Sequence, residues 1–185
     1  MKKINTLRAT VLAAVLATGS TAWATNGMLM EGYGPESLAQ GGASTAYYNG
    51  TAGMMNNPAT LQLGLVGSRL DVAMGILGPN VKSSMQGMPV ASSSGTSYVM
   101  PALGWVRKSD QMTWGVGIFG QGGMGTEYGA DSFLAMGSGS GVRSELGAGR
   151  VIFPLSFKVN EQLSVGGSLD YTWSGLDMKM AASGQ

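Results

Sequence analysis

Four segments of this chain alternate between apolar residues and small or polar residues, and this alternation constrains the fold more than any other feature. Their apolar members are Leu70, Val72, Met74 and Ile76; Met112, Trp114, Val116 and Ile118; Val151, Phe153, Leu155 and Phe157; and Leu163, Val165, Leu169, Tyr171 and Trp173. A period of two is typical of a β-strand with one face in apolar surroundings. A fifth segment, residues 98–107, alternates more weakly and contains Pro101, and we also predict it to be a strand.

The N-terminus has the layout of an export signal. A basic head and an apolar stretch over residues 9–17 precede a small-residue cleavage site, Ala-Trp-Ala, at residues 22–24. We therefore predict a cleaved signal peptide over residues 1–24. Without the three basic residues of this signal, the chain has eight basic residues against ten acidic ones and no basic run. Such a charge balance argues against nucleic acid as a partner.

Composition and connection lengths indicate how the strands are used. Charged residues make up 11% of the chain, against about 25% in an average soluble domain. No apolar run after the signal reaches the roughly 18 residues of a membrane-spanning helix. The connections run long, short, long, short, over residues 77–97, 108–111, 120–144 and 159–161. A soluble sandwich would share the alternation, but this asymmetry is typical of barrels in the outer membrane.

We therefore predict an all-β fold, an antiparallel transmembrane β-barrel of the Gram-negative outer membrane. Trp105, Trp114, Tyr171 and Trp173 fall towards strand ends, as interfacial residues do. Five strands are too few to close a barrel, since the smallest have about eight. The last residues, LDMKMAASGQ, also stop in mid-alternation. We expect residues 65–185 to be the first strands of a larger barrel and the chain to be incomplete.

The stretch YYNGTAGMMNNPATLQLG, residues 47–64, contains the clearest helix signals of the chain. Asn57 before Pro58 is typical of a helix start, because asparagine caps free amides and proline tolerates the first helical position. A second start has Asn49 as its cap, followed by one or two turns over residues 51–55. The alternative interpretation is an ordinary capped connector between two strands.

Residues 25–61, TNGMLMEGYGPESLAQGGASTAYYNGTAGMMNNPATL, resemble the mature start of the FadL/TodX family of outer-membrane transporters for hydrophobic compounds. The matching features are Asn26-Gly27, Gly32-Tyr33-Gly34, Gly41-Gly42-Ala43, Ala46, and Asn57-Pro58-Ala59 followed by Leu61. The similarity continues through MPALGWVRKSDQMTWGVGIFGQGGMGTEYG and ELGAGRVIFPLSFKVNEQLSVGGSLDYTWSGLDM. It spans nearly all of the mature chain, but only the first third to half of a family member, whose barrel has about fourteen strands.

The resemblance implies a plug that fills the barrel lumen, here residues 25–64. It places the turn Asn57, Pro58 and Ala59 in the plug core, where the turn is needed for uptake. It also implies an inward kink in the third barrel strand that opens the wall sideways and lets an apolar ligand leave into the membrane. The corresponding residues are Phe119, Gly120, Gln121, Gly122, Gly123, Met124 and Gly125. Glycines weaken a strand ladder and permit a bend, although without the resemblance this run also fits a flexible outside loop.

Candidate ligand-lining residues lie in the predicted plug: Met28, Leu29, Met30, Met54 and Met55. Thioether side chains adapt to apolar ligands of varied shape, and plain core filling is the alternative for each of them. The predicted function is passive transport of long-chain fatty acids or aromatic hydrocarbons. The predicted partners are that ligand and outer-membrane lipid, with the complete protein a monomer. A general aqueous porin, or a structural or adhesive barrel, remains the alternative.

Enzymatic chemistry has little support in this sequence. The chain contains no histidine and no cysteine, so the usual zinc and copper sites and a Ser-His-Asp triad are excluded. We assign no catalytic residue, no metal and no cofactor. Asp71, Glu127 and Asp170 are expected on inward faces or at loop mouths, solvated or paired with Arg69 or Arg150.

Overall fold

The computed structural model describes residues 27–182, and the predicted signal peptide lies outside them. Short helical elements come first and long strands follow. The helical elements are α1 (Pro35–Ala39), a 3-10 turn (Gly50–Ala52), α2 (Gly53–Asn56), a second 3-10 turn (Pro58–Leu63) and, later in the chain, a third (Phe133–Ala135). The strands are β1 (Gly67–Leu77), β2 (Lys82–Ser83), β3 (Ala91–Ser92), β4 (Tyr98–Lys108), β5 (Met112–Tyr128), β6 (Val142–Lys158) and β7 (Ser164–Lys179).

The five long strands form one antiparallel sheet in the order β1-β4-β5-β6-β7, and β2 pairs only with β3. The all-β antiparallel prediction is thus confirmed. Register is continuous between β1 and β4, from Gly67 opposite Lys108 to Leu77 opposite Tyr98. Within residues 27–182 the sheet does not close on itself, and β1 and β7 are its two edges.

Each alternating segment of the sequence has an apolar exposed face, but the opposite face packs only on β5 and β6. β1 and β7 are exposed over nearly their whole length. On β1 the exposed face carries Val72 and Met74, which are 72% and 73% exposed, and on β7 it carries Leu169. The opposite face of β5 and β6 is buried, with Thr113 and Ser156 fully inaccessible. Residues 27–64, here called the N-terminal segment, pack against this buried face. The apolar exposed face is what a barrel presents to lipid.

Three strands are longer than predicted. β5 continues to Tyr128 and β6 begins at Val142, so about half of residues 120–144, predicted to be a long connection, belong to strands. The connection itself covers residues 129–141. β7 continues to Lys179. The order long, short, long, short is nevertheless retained, because the turns over residues 109–111 and 159–163 are tight.

Prolines mark the interruptions of the ladders. Pro154 lies inside β6, where the pairing of β5 with β6 passes from Trp114 opposite Leu155 directly to Gly117 opposite Ile152. Proline has no amide hydrogen, so it cannot donate to a neighbouring strand. Pro101 on β4 occupies a similar place, directly beyond Ala102, the last residue of β4 that pairs with β5.

Helices long and apolar enough to cross a membrane do not occur among residues 27–182.

Candidate functional site

The Asn-Pro-Ala turn is held by hydrogen bonds from both polar atoms of the Asn57 side chain. The Oδ1 of Asn57 accepts from the backbone amide of Ala59 at 3.1 Å, and its Nδ2 donates to the carbonyl of Thr45 at 2.8 Å. The hydroxyl of Thr60 donates back to the carbonyl of Asn57 at 2.7 Å. Asn57 therefore caps the turn that begins at Pro58, as the sequence predicts, although the turn is 3-10 rather than α-helical.

The second predicted cap is wrong. Asn49 precedes the 3-10 turn Gly50–Ala52 but makes no capping hydrogen bond. Its Nδ2 instead donates to the carbonyl of Tyr33 at 3.3 Å, and the Nδ2 of Asn56 donates to the same carbonyl at 3.0 Å. The backbone of Asn49, with φ of −127° and ψ of 43°, lies outside the extended region from which asparagine caps a helix. Through these two hydrogen bonds, Asn49 and Asn56 hold the backbone of Tyr33 in place.

Apolar packing joins this segment to the sheet. Met54 and Leu61, each 1% exposed, form a cluster with three strand residues: Val106, Phe119 and Ile152. On β7 the backbone comes close enough to the turn that a Cβ at Gly166 would lie 2.6 Å from the amide nitrogen of Ala59. Only glycine fits at position 166, because the Asn-Pro-Ala turn lies too close for a side chain.

Polar contacts fix the segment at two further points. The Nε2 of Gln62 donates to the carbonyl of Ser156 on β6 at 2.7 Å, and both residues are buried. The Oδ2 of Asp71 on β1 accepts from the amide of Thr51 at 2.9 Å and also pairs with Arg69 at 2.8 Å. The expected pairing of Asp71 with Arg69 is confirmed, and Asp170 pairs with Arg150 at 3.2 Å.

The predicted kink region lies within β5, and the alternative of a flexible loop is wrong for this run. Pairing of β5 with β4 stops at Phe119 opposite Ala102. Pairing with β6 continues, but its register shifts between Gly120 and Gly122, so Gln121 is an extra residue. An extra residue on one strand is a β-bulge, which bends the strand locally. Beyond this bulge β5 and β4 are no longer hydrogen-bonded to each other.

The N-terminal segment takes the place of β4 at the bulge. Leu29 forms an isolated antiparallel bridge with Gly122. The amide of Gly123 donates to the carbonyl of Met28 at 2.7 Å, and the amide of Met30 donates to the carbonyl of Gln121 at 3.2 Å. A Cβ at Gly122 would lie 1.9 Å from the Met28 carbonyl oxygen, so the bridge requires glycine there.

Tyr33 adds a side-chain contact to the same bulge. Its hydroxyl donates to the carbonyl of Gln121 at 2.8 Å. Burial raises the pKa of the Tyr33 phenol above its ordinary value of 10.0, and the positive charge of Arg150 offsets part of this effect. The phenol is therefore a neutral donor throughout the physiological range.

The candidate ligand-lining residues have different surroundings. Met28, Met30 and Met55 are half-buried, and Leu29 is 38% exposed. Met54 is enclosed in the apolar cluster, an environment that matches the core-filling alternative. A cavity of about 250 Å³ lies nearby, between the N-terminal segment and β1, β4 and β5. Its walls include Pro35, Thr51, Asp71, Ala102 and Phe119.

Four residues of this arrangement were not identified from the sequence: Tyr33, Thr51, Gln62 and Ser156. Each acts through a contact between residues far apart in the chain, and nothing in local spacing indicates such a contact. Within residues 27–182, histidine, cysteine and carboxylate side chains form no group of three or more that would hold a metal ion.

The chain matches a family model described as "Outer membrane protein transport protein (OMPP1/FadL/TodX)" over residues 11–183. Its structure is similar to that of the Pseudomonas putida toluene transporter TodX, with 32% identity and a TM-score of 0.75 over 80% of this chain and 37% of that one. It is also similar to the Ralstonia pickettii toluene transporter TbuX, with 35% identity and a TM-score of 0.72 over 80% of this chain and 39% of that one. A Chlorobium limicola protein, an uncharacterized product of the phosphoenolpyruvate carboxykinase gene 5′ region, is 36% identical over 100 residues, 53% of this chain and 49% of that protein.

Proposed function

Because the chain belongs to the OMPP1/FadL/TodX family of outer-membrane transport proteins, we propose that the protein carries hydrophobic small molecules passively across the outer membrane. The chain spans less than two fifths of the two toluene transporters that it resembles. The proposal therefore concerns the whole barrel to which these strands belong. It includes export by a cleaved signal over residues 1–24 and action as a monomer.

The first element of the proposal is a plug formed by residues 25–64. The observation that supports it is the packing of the N-terminal segment on the buried face of the sheet. Apolar contacts of Met54 and Leu61 and the polar contacts of Gln62 and Asp71 hold the segment there. A segment in this place narrows the lumen and disfavours a general aqueous porin.

The second element is a lateral exit between β4 and β5. Its support is the loss of pairing beyond Ala102 and Phe119, together with the bulge at Gln121. An unpaired strand edge in lipid is costly unless its backbone groups find other partners. Met28 and Met30 supply such partners from inside the barrel. Release of these two hydrogen bonds would open the passage, so we propose that residues 28–30 close it in this state.

The third element is the substrate class. TodX and TbuX are toluene transporters. The cavity next to Ala102 and Phe119 measures about 250 Å³, but its wall also contains the charged residues Glu36, Arg69 and Asp71, so its volume alone does not favour an apolar ligand. The substrate named for these two relatives favours single-ring hydrocarbons as the ligand. Long-chain fatty acids are the other ligand class of the proposal, and they would need the lateral exit for release.

The exit is tested by filling the gap from the β5 side. A Cβ at Gly120 would lie 3.3–3.5 Å from Met100 and Pro101 on β4, so the larger ring of Gly120→Phe must displace these residues or fill the gap beside them. We expect strongly reduced uptake of labelled toluene by cells that carry this variant at matched outer-membrane levels. A second variant, Gly120→Arg, fills the same gap and also adds a charge, which costs roughly 2–4 kcal/mol if it faces mid-bilayer lipid.

Gly167→Phe is the matched control. Gly167 lies on β7, away from the gap, and a Cβ there meets no atom within 4 Å. It should transport as the unmodified protein does. Equal uptake by the Gly120 and Gly167 variants would mean that ligands do not leave between β4 and β5. Comparison of toluene with a long-chain fatty acid in the same cells would identify the substrate class.

A further inference from the structure

The β4–β5 gap is bounded at both ends. Its lower end is the last residue pair that the two strands share. At the upper end the first long connection replaces β4 as the partner of β5. The amide of Ser94 donates to the carbonyl of Glu127 at 2.8 Å, and the amide of Glu127 donates to the hydroxyl oxygen of Ser93 at 3.0 Å. The gap is therefore a closed opening beside residues 120–126 of β5.

The side chain of Tyr98 lies in this opening. Its hydroxyl donates to the Oε1 of Glu145 on β6 at 3.0 Å. Because β5 lies between β4 and β6 in the sheet, the ring must reach past β5 to make this bond. A Cβ at Gly125 on β5 would lie 2.6 Å from the Tyr98 hydroxyl oxygen, and a Cβ at Gly95 would lie closer still. Two glycines thus leave the room that the phenol occupies.

The faces of the strands show how Tyr98 and Glu145 can meet. Tyr98 is an even number of positions from Val106 on β4, so it belongs to the face on which the N-terminal segment packs. Glu145 is an odd number of positions from Ile152 on β6, so it belongs to the opposite face. Side chains of opposite faces meet only where one strand lies behind the other. At the gap, β5 and β6 therefore lie nearer the barrel interior than β4, and Tyr98 fills the space between these two layers.

Two contacts leave only a short stretch of the gap between them. At the lower side, a Cβ at Gly120 would already touch β4 at 3.3–3.5 Å. At the upper side, the Tyr98 phenol covers Gly125. Residues 121–124 remain, and four strand residues cover roughly 13 Å. A single aromatic ring fits such a stretch edge-on, whereas a ring with bulky substituents on three sides needs the space that Tyr98 occupies.

We propose that Tyr98 is a size filter of the lateral exit, held in the β4–β5 gap by its hydrogen bond to Glu145. This inference rests on the lateral exit of the proposed function and names the ligands that the exit admits, single-ring hydrocarbons with short substituents. Wider ligands pass only while the hydrogen bond is broken and the ring is turned aside. A purely structural tyrosine at the end of a strand would need neither two glycines around its hydroxyl nor an acceptor two strands away.

The experiment compares uptake of symmetric triisopropylbenzene with uptake of toluene by cells that carry the complete protein, and the ratio of the two is the readout. Loss of a hydrogen bond to a charged group shifts an equilibrium about tenfold or more. Tyr98→Phe keeps the ring but loses the bond, so it should raise the ratio about tenfold. Tyr98→Ala also removes the ring and should raise the ratio at least as much. Tyr171→Ala is the matched control, because Tyr171 is an exposed tyrosine of β7 outside the gap, and its ratio should equal that of the unmodified protein.

The hydrogen bond is tested separately from the ring. Glu145→Ala should raise the ratio as Tyr98→Phe does, whereas Glu145→Gln keeps an acceptor oxygen and should stay near the unmodified protein. The double variant Tyr98→Phe/Glu145→Ala should exceed neither single variant, because the two changes remove the same bond. Heat-modifiable migration on a gel checks barrel assembly in every variant.

The proposal is overturned if Tyr98→Ala has the ratio of Tyr171→Ala, or if the effects of Tyr98→Phe and Glu145→Ala multiply. The variant Gly120→Phe separates this failure from failure of the lateral exit. If Gly120→Phe stops toluene uptake while Tyr98→Ala leaves the ratio unchanged, only the size filter is wrong. If Gly120→Phe has no effect on toluene uptake, the exit itself is wrong, and the filter with it.

Discussion

Substitution of Asn57 by alanine tests how firmly the Asn-Pro-Ala turn is held. The change removes the cap on Ala59 and the bond to the Thr45 carbonyl. An asparagine cap contributes about 1 kcal/mol, and a hydrogen bond such as that to Thr45 contributes about 1 kcal/mol more. The local opening equilibrium of the turn should therefore shift by about 2 kcal/mol, or roughly 30-fold.

Amide hydrogen exchange, read by mass spectrometry on a peptide that covers the second 3-10 turn, measures this shift in the complete protein. Asn57→Ala should reduce protection of Ala59 and Thr60 by roughly 30-fold, with reduced uptake of the hydrophobic ligand and unchanged barrel assembly. Asn57→Ser keeps a capping oxygen but is too short to reach Thr45, so it should lose only about fivefold.

Asn160→Ala is the matched control. The Oδ1 of Asn160 accepts from the amide of Gln162 at 2.8 Å in a short turn away from the N-terminal segment, so the same type of bond is removed elsewhere. Exchange at Ala59 and uptake should be unchanged in this variant. If Asn57→Ala exchanges like Asn160→Ala and transports normally, the turn is a connector and the assigned energies are wrong.

Two further predictions concern the contacts that hold the N-terminal segment, and the second uses the absence of cysteine from the chain, which allows a spin label at Gly27→Cys. Asp71→Ala leaves the amide of Thr51, a residue 2% exposed, without its acceptor, which costs about 1–3 kcal/mol; faster amide exchange at Thr51 is expected, and Asp71→Asn, which keeps an acceptor oxygen, should restore most of the protection. Tyr33→Phe removes the donor to Gln121 and should mobilise the label at neutral pH. Because burial raises the pKa of Tyr33, the bond is present below pH 10 and is lost as the pH rises through that higher value; mobility should therefore rise with pH in the unmodified protein only, and a pH-independent label there would contradict the assignment.

Strand positions were predictable from the sequence wherever large side chains alternate. The segment from Leu70 to Ile76 lies within β1 for this reason. The second half of β5 was missed for two reasons. Its glycines have no side chains that would show an apolar and a polar face, and the extra residue Gln121 interrupts the two-residue alternation. The first half of β6 was missed for a similar reason, since Gly147 and Gly149 interrupt its apolar pattern.

The candidate site was partly predictable. The cap by Asn57 was predictable because Asn-Pro locally favours the start of a helical turn, and the tertiary structure retains this turn. The cap by Asn49 fails because the side chain has a competing partner, the carbonyl of Tyr33, sixteen positions earlier. Contacts such as Gln62 with Ser156, 94 positions apart, depend on the fold as a whole and have no local signal.

The bulge at Gln121 determines which side chains of β5 between Gly122 and Tyr128 face the N-terminal segment and which face the opposite side of the sheet. Phe119 and Gly122 both face the N-terminal segment, although they are three positions apart rather than two. Removal of this one residue would move every later side chain of the strand to the other surface of the wall. Met124 would then face lipid, and Glu127 the lumen. Homologues that gain or lose a single residue here would thus differ in wall chemistry while their sequences stay nearly identical, so the position of an alignment gap at this point decides which residues are comparable.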